Sequence, residues 1–239
     1  MQGQVILSID DKILLKEFGL LYSSKDNKCS GVLSFQSAFN GNFLPFANAK
    51  CTQFIQDSYE IEIDFNSANS LPTIHNTDNR ILNYSKLHKI QTADLHLKPN
   101  GSLCLCHTLQ EKSFFKADTG KLDLYEFIIL VIQFFYAHSY FEKNKKEPWK
   151  GYSHGFFGTI EYLAEMETFT PAFVLESIGG DKKLFSIIAS TADISKCSYE
   201  GKSIRRNKKF IKSFKKVRSS LREKLNITSP TYKAKSCKS

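Results

Sequence analysis

Two thiols and two histidines crowd into one short stretch, Asp94–His107, which reads DLHLKPNGSLCLCH. Within it Cys104 follows an Asn100-Gly101 pair and lies between Leu103 and Leu105. Asn-Gly favours positive φ and a tight turn, and Leu-Cys-Leu alternates like a short strand or extended loop. Such a segment holds a thiol at the end of a turn, backed by apolar side chains and open to a partner on one side. A thiol placed so is a candidate nucleophile for acyl transfer. The competing reading is structural, because unpaired cysteine is among the most buried residue types and usually just packs. Cys104, Cys106 and His107 also have the chemistry of metal ligands. A Cys-x-Cys-His triple with no fourth ligand at a convincing spacing does not make a four-coordinate site, so no metal is expected.

The elements that must position this stretch lie upstream, in Ser30–Ile81. SGVLSFQSAF reads as one strand and CTQFIQDSYEIEIDF as one or two more. In the latter, Tyr59, Ile61, Ile63 and Phe65 share one face while Ser58, Glu60, Glu62 and Asp64 share the other. That is the period-2 pattern of a half-buried antiparallel strand. SLPTIHNTDNRI follows as an extended, Pro-containing segment, and then the cysteine turn.

This order of a Gly-containing strand, a D-x-Y-x-I-x-I strand, Leu-Pro, His and Asn-Gly-Ser-Leu-Cys-Leu resembles the ubiquitin-conjugating (E2) fold. It looks most like the divergent bacterial E2-like proteins found beside CBASS antiphage operons, over Gly31–Glu165. The resemblance implies an α+β fold, an antiparallel sheet flanked by helices, with Cys104 as the residue that carries a thioester. The family usually has His-Pro-Asn upstream of its cysteine, and its Asn is thought to stabilise the oxyanion. Here the chain reads His96-Leu97-Lys98. His96 matches the motif's histidine, whose role is mostly structural, and the Asn has no counterpart. Asn100 belongs to the turn and does not take that role. Oxyanion stabilisation normally contributes several kcal/mol, on the order of 3, so another donor supplies it or the chemistry is slow. The resemblance further implies a partner protein ending in Gly, of the cyclic-oligonucleotide synthase (CD-NTase) type. It also implies a separate E1-like protein where adenylation is needed, since this chain has no ATP-binding signature and calls for no cofactor.

At 239 residues the chain can hold one domain with additions or two small ones. A 41% hydrophobic and 13% aromatic content, with 20 Phe, suffices for a core. The N-terminus carries Asp10 and Asp11 without a basic leader pattern. The longest apolar run, Phe127–Ala137, is short for a bilayer span, so no membrane is expected. Six cysteines without framework spacing suggest free thiols in a reducing cytoplasm. GxGxxG, GxxxxGK[ST] and HExxH are absent, which leaves nucleotide hydrolysis and zinc proteolysis without support.

Charge is unevenly spread. Lys196–Ser239 holds 15 Lys/Arg against 2 Asp/Glu, a net of +13, while the rest nets −4. In that basic stretch Ile204, Phe210, Ile211, Phe214, Val217, Leu221 and Leu225 recur every three to four residues, one apolar stripe on a basic helix. The stripe either docks on the body with its charges solvated, or the helix engages nucleic acid, an acidic partner or a membrane surface. Lys196-Cys197-Ser198-Tyr199-Glu200-Gly201-Lys202 resembles a worn C-terminal zinc motif, but one thiol cannot build a four-ligand site.

Between these regions Leu122–Phe141 is apolar nearly all round and reads as a buried helix, with His138 a satisfied core or boundary histidine. After the polar loop EKNKKEPWKGYSH, Ser153 can cap a helix over Gly155–Glu165, with Glu161 and Glu165 on its polar side. His154, behind the Trp149 loop, is the second candidate site residue: as a neutral base it would assist deprotonation of a thiol or amine. A helix-end surface histidine is the plainer reading. His75, His88 and His107 have proximity alone, His107 most of all. FTPAFVLESIGG reads as a short helix ended by Gly179-Gly180, and KKLFSIIAST as a further short element.

The expected organisation is therefore an E2-like domain over 1–168, a connector over 169–195 and a basic amphipathic extension over 196–239. The expected activity is trans-acylation through Cys104, with His154 and His96 in support, in antiphage defence. The rivals are an inactive E2-like scaffold that binds a partner protein, favoured by the missing Asn, and a nucleic-acid-binding protein acting through the basic tail.

Overall fold

The computed structural model describes residues 5–37, 54–67, 70–106, 108–148, 155–166, 168–190, 198–199, 202–203 and 208–227. They fall into two compact units, residues 1–150 and 151–239.

The first unit is α+β. Helix α1 (Ile9–Glu17) begins with a reciprocal cap: Ser8 Oγ accepts from the Asp11 amide at 3.1 Å while the Asp11 carboxylate accepts from the Ser8 amide at 2.8 Å. Strands β1 (Leu20–Ser23), β2 (Lys28–Ser37), β3 (Ile55–Asp64) and β4 (Thr73–Asn76) then form an antiparallel sheet in chain order. A Cβ on Gly31 of β2 would stand 2.1 Å from the carbonyl oxygen of Gly19, the residue leading into β1, so the close pairing of β2 with β1 demands glycine there. The alternation read from β3 is realised. Tyr59, Ile61, Ile63 and Phe65 are buried, and on the opposite face Lys28 reaches Glu62 at 2.8 Å and Asp64 at 3.4 Å.

The segment read as extended up to the cysteine turn is shorter than expected. After β4 the chain forms α2 (Arg80–His88). Asp78 Oδ1 accepts from the Arg80 amide at 2.9 Å and Asn76 Oδ1 from the Ile81 amide at 3.2 Å, so two side chains satisfy donors that a helix start leaves open. The buried helix α3 (Leu124–Asn144) is capped by Asp123 and packs on β2 and β3, with the Phe135 ring 4.3 Å from that of Tyr59. By length and composition α3 could cross a membrane, but eleven of its residues are buried in this unit.

A polar network ties β3, α2 and α3 together. Arg80 donates to both Asp57 carboxylate oxygens at 2.8 Å, pairs with Glu142, and lies 4.4 Å from the centre of the Tyr59 ring. Ser139 Oγ donates to Asp57 at 2.7 Å and meets the Tyr59 hydroxyl at 2.9 Å. His138 is buried as expected, its Nδ1 3.4 Å from Glu142. Its Nε2 is not satisfied: that atom has no hydrogen-bond partner among the described residues.

The second unit corrects three expectations. It contains α4 (Gly155–Glu165), α5 (Pro171–Ser177), α6 (Lys182–Ala189), a two-residue ribbon of β5 (Ser198–Tyr199) and β6 (Lys202–Ser203), and α7 (Lys208–Lys224). Phe210, Phe214, Val217 and Leu221 of α7 are fully buried with Phe156, Ile160 and Leu163 of α4 and Ile188 of α6. The basic stretch is therefore no appendage, since α7 is the central element of a second core. The division falls after residue 150 rather than 168, because α4 packs on α7. Glu161 is not on a polar face: it is 1% exposed and its carboxylate pairs with Lys209 at 2.7 Å. Arg218 and Arg222 donate to the carbonyls of Ile187, Ile188 and Ala189, satisfying the C-terminal end of α6.

The buried His138 makes the first unit acid-sensitive. Burial lowers its pKa from 6.5 to about 4, the Glu142 carboxylate opposing this. The folded value lies below the unfolded one, so the associated stability is complete above pH 6.5 and is lost as pH falls toward 4. Thermal-melt midpoints of the wild type should drop across that window, and His138→Gln should remove a part of the fall worth about 3 kcal/mol. Parallel pH profiles for the two proteins would show the expectation wrong.

Candidate active site

Cys104 is positioned by main-chain hydrogen bonds. A 3₁₀ turn over Thr92–Leu95 ends on His96, whose φ of 56° lies in the left-handed region, and the Leu97 amide returns to the Thr92 carbonyl at 2.9 Å. The chain then reverses through Lys98-Pro99-Asn100-Gly101. Gly101 N–H donates to the Lys98 carbonyl at 2.9 Å and Lys98 N–H donates to the Ser102 carbonyl at 2.8 Å. Gly101 has φ of 80°, and Asn100 is outside the positive-φ region. This is the three-residue hairpin loop in which a left-handed glycine follows a turn. Asn100 Oδ1 locks it by accepting from the Ser102 amide at 3.1 Å and the Ser102 hydroxyl at 2.7 Å.

The returning arm is held on both sides. Leu103 bridges to Leu97, and the Cys104 amide donates to the His96 carbonyl at 2.7 Å. On the other side His75 of β4 bridges to Ser102, and the Leu103 amide donates to the Ile74 carbonyl at 2.9 Å. Ser102, Leu103 and Leu97 are buried, Leu105 packs partly on the core, and Cys104 is half-buried between them. Glu111, in the 3₁₀ segment Thr108–Phe114, accepts from the Leu71 amide at 3.4 Å and so joins that segment to the approach of β4.

The three cysteines described differ in their electrostatics. Burial pushes the Cys29 thiol up to about 12. Burial, with Glu111 and Cys104 adding to it, does the same to Cys106. Burial also raises Cys104; Lys98 opposes this and Glu111 adds to it. At neutral pH Cys104 is therefore a thiol whose small thiolate fraction carries its reactivity. Lys98 and Glu111, which bracket it electrostatically, were not singled out from sequence. Lys98 lies within the stretch already suspected, whereas Glu111 is brought near by the 3₁₀ segment.

Of the predicted site residues, the structure brings together Cys104 and His96, whose observed link is the His96 carbonyl. His154, His107, Trp149, Ser153, Cys51 and Ile204 lie outside the described residues. His75 is in the strand beside the hairpin, while His88 lies at the end of α2, its ring 4.3 Å from Tyr84. The Asn100 carboxamide oxygen is engaged in its own turn and the Cys104 amide in the His96 bond. Among the described residues, the amides of Leu105 and Cys106 have no acceptor, and they are the next backbone donors along the chain. No group of three or more His, Cys, Asp or Glu side chains is arranged to hold a metal among the described residues. Comparison with protein-family models, curated proteins and solved structures finds no match to this chain.

Iodoacetamide should modify Cys104 ahead of Cys29 and Cys106, as read by peptide mass spectrometry of the native protein. Its rate should keep rising with pH beyond the ordinary thiol range. At pH 8, Lys98→Gln should slow it and Glu111→Gln should speed it, each by about two- to fivefold. Equal labelling of the three thiols, or charge variants without effect, would contradict this electrostatic ordering.

Proposed function

We propose that this chain is an E2-like trans-acylation enzyme with Cys104 as its nucleophile. The observation that carries the reading is the hairpin His96–Cys104 laid on the edge of β4. It presents, at a sheet edge, the thiol least strongly shifted among the cysteines described. The order of strands, histidine, turn and cysteine on which the E2 resemblance rests is consistent with it, as is an α+β unit with a four-stranded antiparallel sheet.

In the first step the Cys104 thiolate attacks an activated C-terminal carbonyl, presented as a thioester or acyl adenylate by a separate E1-like protein. The new C–S bond forms as the bond to the thiol or adenylate breaks, and the thiol proton passes to water. In the second step a target lysine amine attacks the Cys104 thioester, giving an amide, a released Cys104 thiolate and one proton to solvent. Water in place of lysine gives hydrolysis. Both steps build negative charge on the former carbonyl oxygen. With no Asn in the motif, the amides of Leu105 and Cys106 are the donors this reading assigns to that oxygen. The conjugated protein is one ending in Gly, of the CBASS cyclic-oligonucleotide synthase class, and the setting is antiphage defence in the cytoplasm. The engagement of the Asn100 carboxamide within its own turn is the observation that favours the inactive-scaffold reading instead.

With a synthase ending in Gly and an E1-like protein present, wild type should form an adduct cleaved by thiol reductants. Cys104→Ser should form an oxyester that resists them, and Cys104→Ala none. An unchanged adduct with Cys104→Ala would sink the mechanism. Partner binding that survives in all three proteins without any adduct would favour the scaffold.

A further inference from the structure

Apart from Lys224 at its end, the cations of α7 divide into two sets. Lys209, Arg218 and Arg222 point into the second unit, toward the Glu161 carboxylate and the carbonyls that end α6. Lys208, Lys212, Lys215 and Lys216 are exposed, and no ion-pair partner is found for them among the described residues. Their spacing of four, three and one residues puts them on one side of the helix. Ser219 continues that side, and the acid Glu223 enters only near its far end.

We propose that this lysine face binds the phosphate backbone of double-stranded nucleic acid, without sequence preference. This goes beyond acyl transfer and does not rest on it. Three observations select the ligand. The apolar face of α7 is already consumed, with Phe210, Phe214, Val217 and Leu221 each 0% exposed. An interfacial helix on a lipid surface needs that face free to insert. The outer face offers no aromatic or aliphatic anchor of the kind that carries protein–protein affinity, and no ring on which unpaired bases stack. What remains is a row of point charges, and its natural counterpart is a polyanion dense enough to release counterions on contact. Lysine lacks the planar fork that reads guanine edges in both directions, so the contact is to phosphate and not to sequence.

The test uses the full chain and a fluorescein-labelled 20-base-pair DNA duplex, followed by anisotropy from 50 to 300 mM KCl. Wild type should bind duplexes of unrelated sequence equally, with log K falling steeply against log salt. Lys212→Gln/Lys215→Gln/Lys216→Gln should reduce that slope by about 2 to 3, near 0.9 per phosphate contact, and weaken binding at 100 mM salt by about tenfold or more. Ser219→Glu removes no contact but places a repelling charge on the same face, and should also weaken binding. Lys12→Gln/Lys16→Gln on α1 should leave it unchanged. These side chains are exposed, and circular dichroism and thermal melting verify that the variants stay folded. Absence of duplex binding at 50 mM KCl overturns the proposal. So does a slope that the triple variant leaves unaltered, strong preference for one duplex sequence, or capture by phosphatidylserine vesicles without capture of DNA.

Discussion

An incomplete sheet edge governs the first unit. β4 pairs with β3 on one side and would otherwise present a row of open N–H and C=O groups on the other. The chain closes that edge with Ser102 and Leu103, and the arm carrying them is itself stitched to His96–Lys98. Cys104 is the first residue beyond this double pairing. Its location is thus inherited from backbone hydrogen bonds, which depend little on which apolar residues flank it. The same economy has a chemical cost. The Cys104 amide is spent on holding the hairpin and cannot also serve as a donor to a substrate oxygen.

Partial burial of the thiol cuts in two directions. It lowers the thiolate fraction and slows attack. It also makes Cys104 a poor leaving group relative to an ordinary thiol, since a sulfur of higher pKa departs more slowly. An acyl group arriving from a less shifted thiol would therefore tend to move onto Cys104 and remain there against stray thiols. Lys98 on the turn and Glu111 on the neighbouring 3₁₀ segment set the balance from opposite sides. Both are charges that water and salt can screen, so the balance is adjustable by the approach of another charged molecule.

Much of this unit was legible in the residues. The alternation in β3 is a direct consequence of one buried and one wet face, and Pro-Asn-Gly is turn chemistry that scarcely depends on context. The long apolar run of α3 announced a core helix. Helices α1 and α2 escaped notice because each is nine residues long, and their start signals, the cap of Ser8 with Asp11 and the bonds of Asp78 and Asn76 to the first amides of α2, are local contacts that a hydrophobic period does not reveal. The second unit was misread for a different reason. The stripe on α7 was plain, but its partner was not, because a periodic apolar face does not say which other face it meets. Glu161 looked solvated in sequence and became a buried ion only when Lys209 arrived from more than forty positions away. At the site, the Asn-Gly pair pointed to the correct turn, while the influence of Glu111 depends on distance through space and left no trace in spacing.

The pairing of α4 with α7 also has a temporal side. A ribosome delivers the chain from its N-terminus, and about 40 residues separate the end of α4 from the start of α7. At about 5–20 residues per second that is a delay of roughly 2 to 8 s. Throughout it, Phe156, Ile160 and Leu163 have emerged and the residues that will finally cover them have not. The sheet and the cysteine hairpin belong to the first unit, all of which is synthesised before this helix. The second core is left as a sticky intermediate during translation, one for which a chaperone would compete and which a premature stop codon would make permanent.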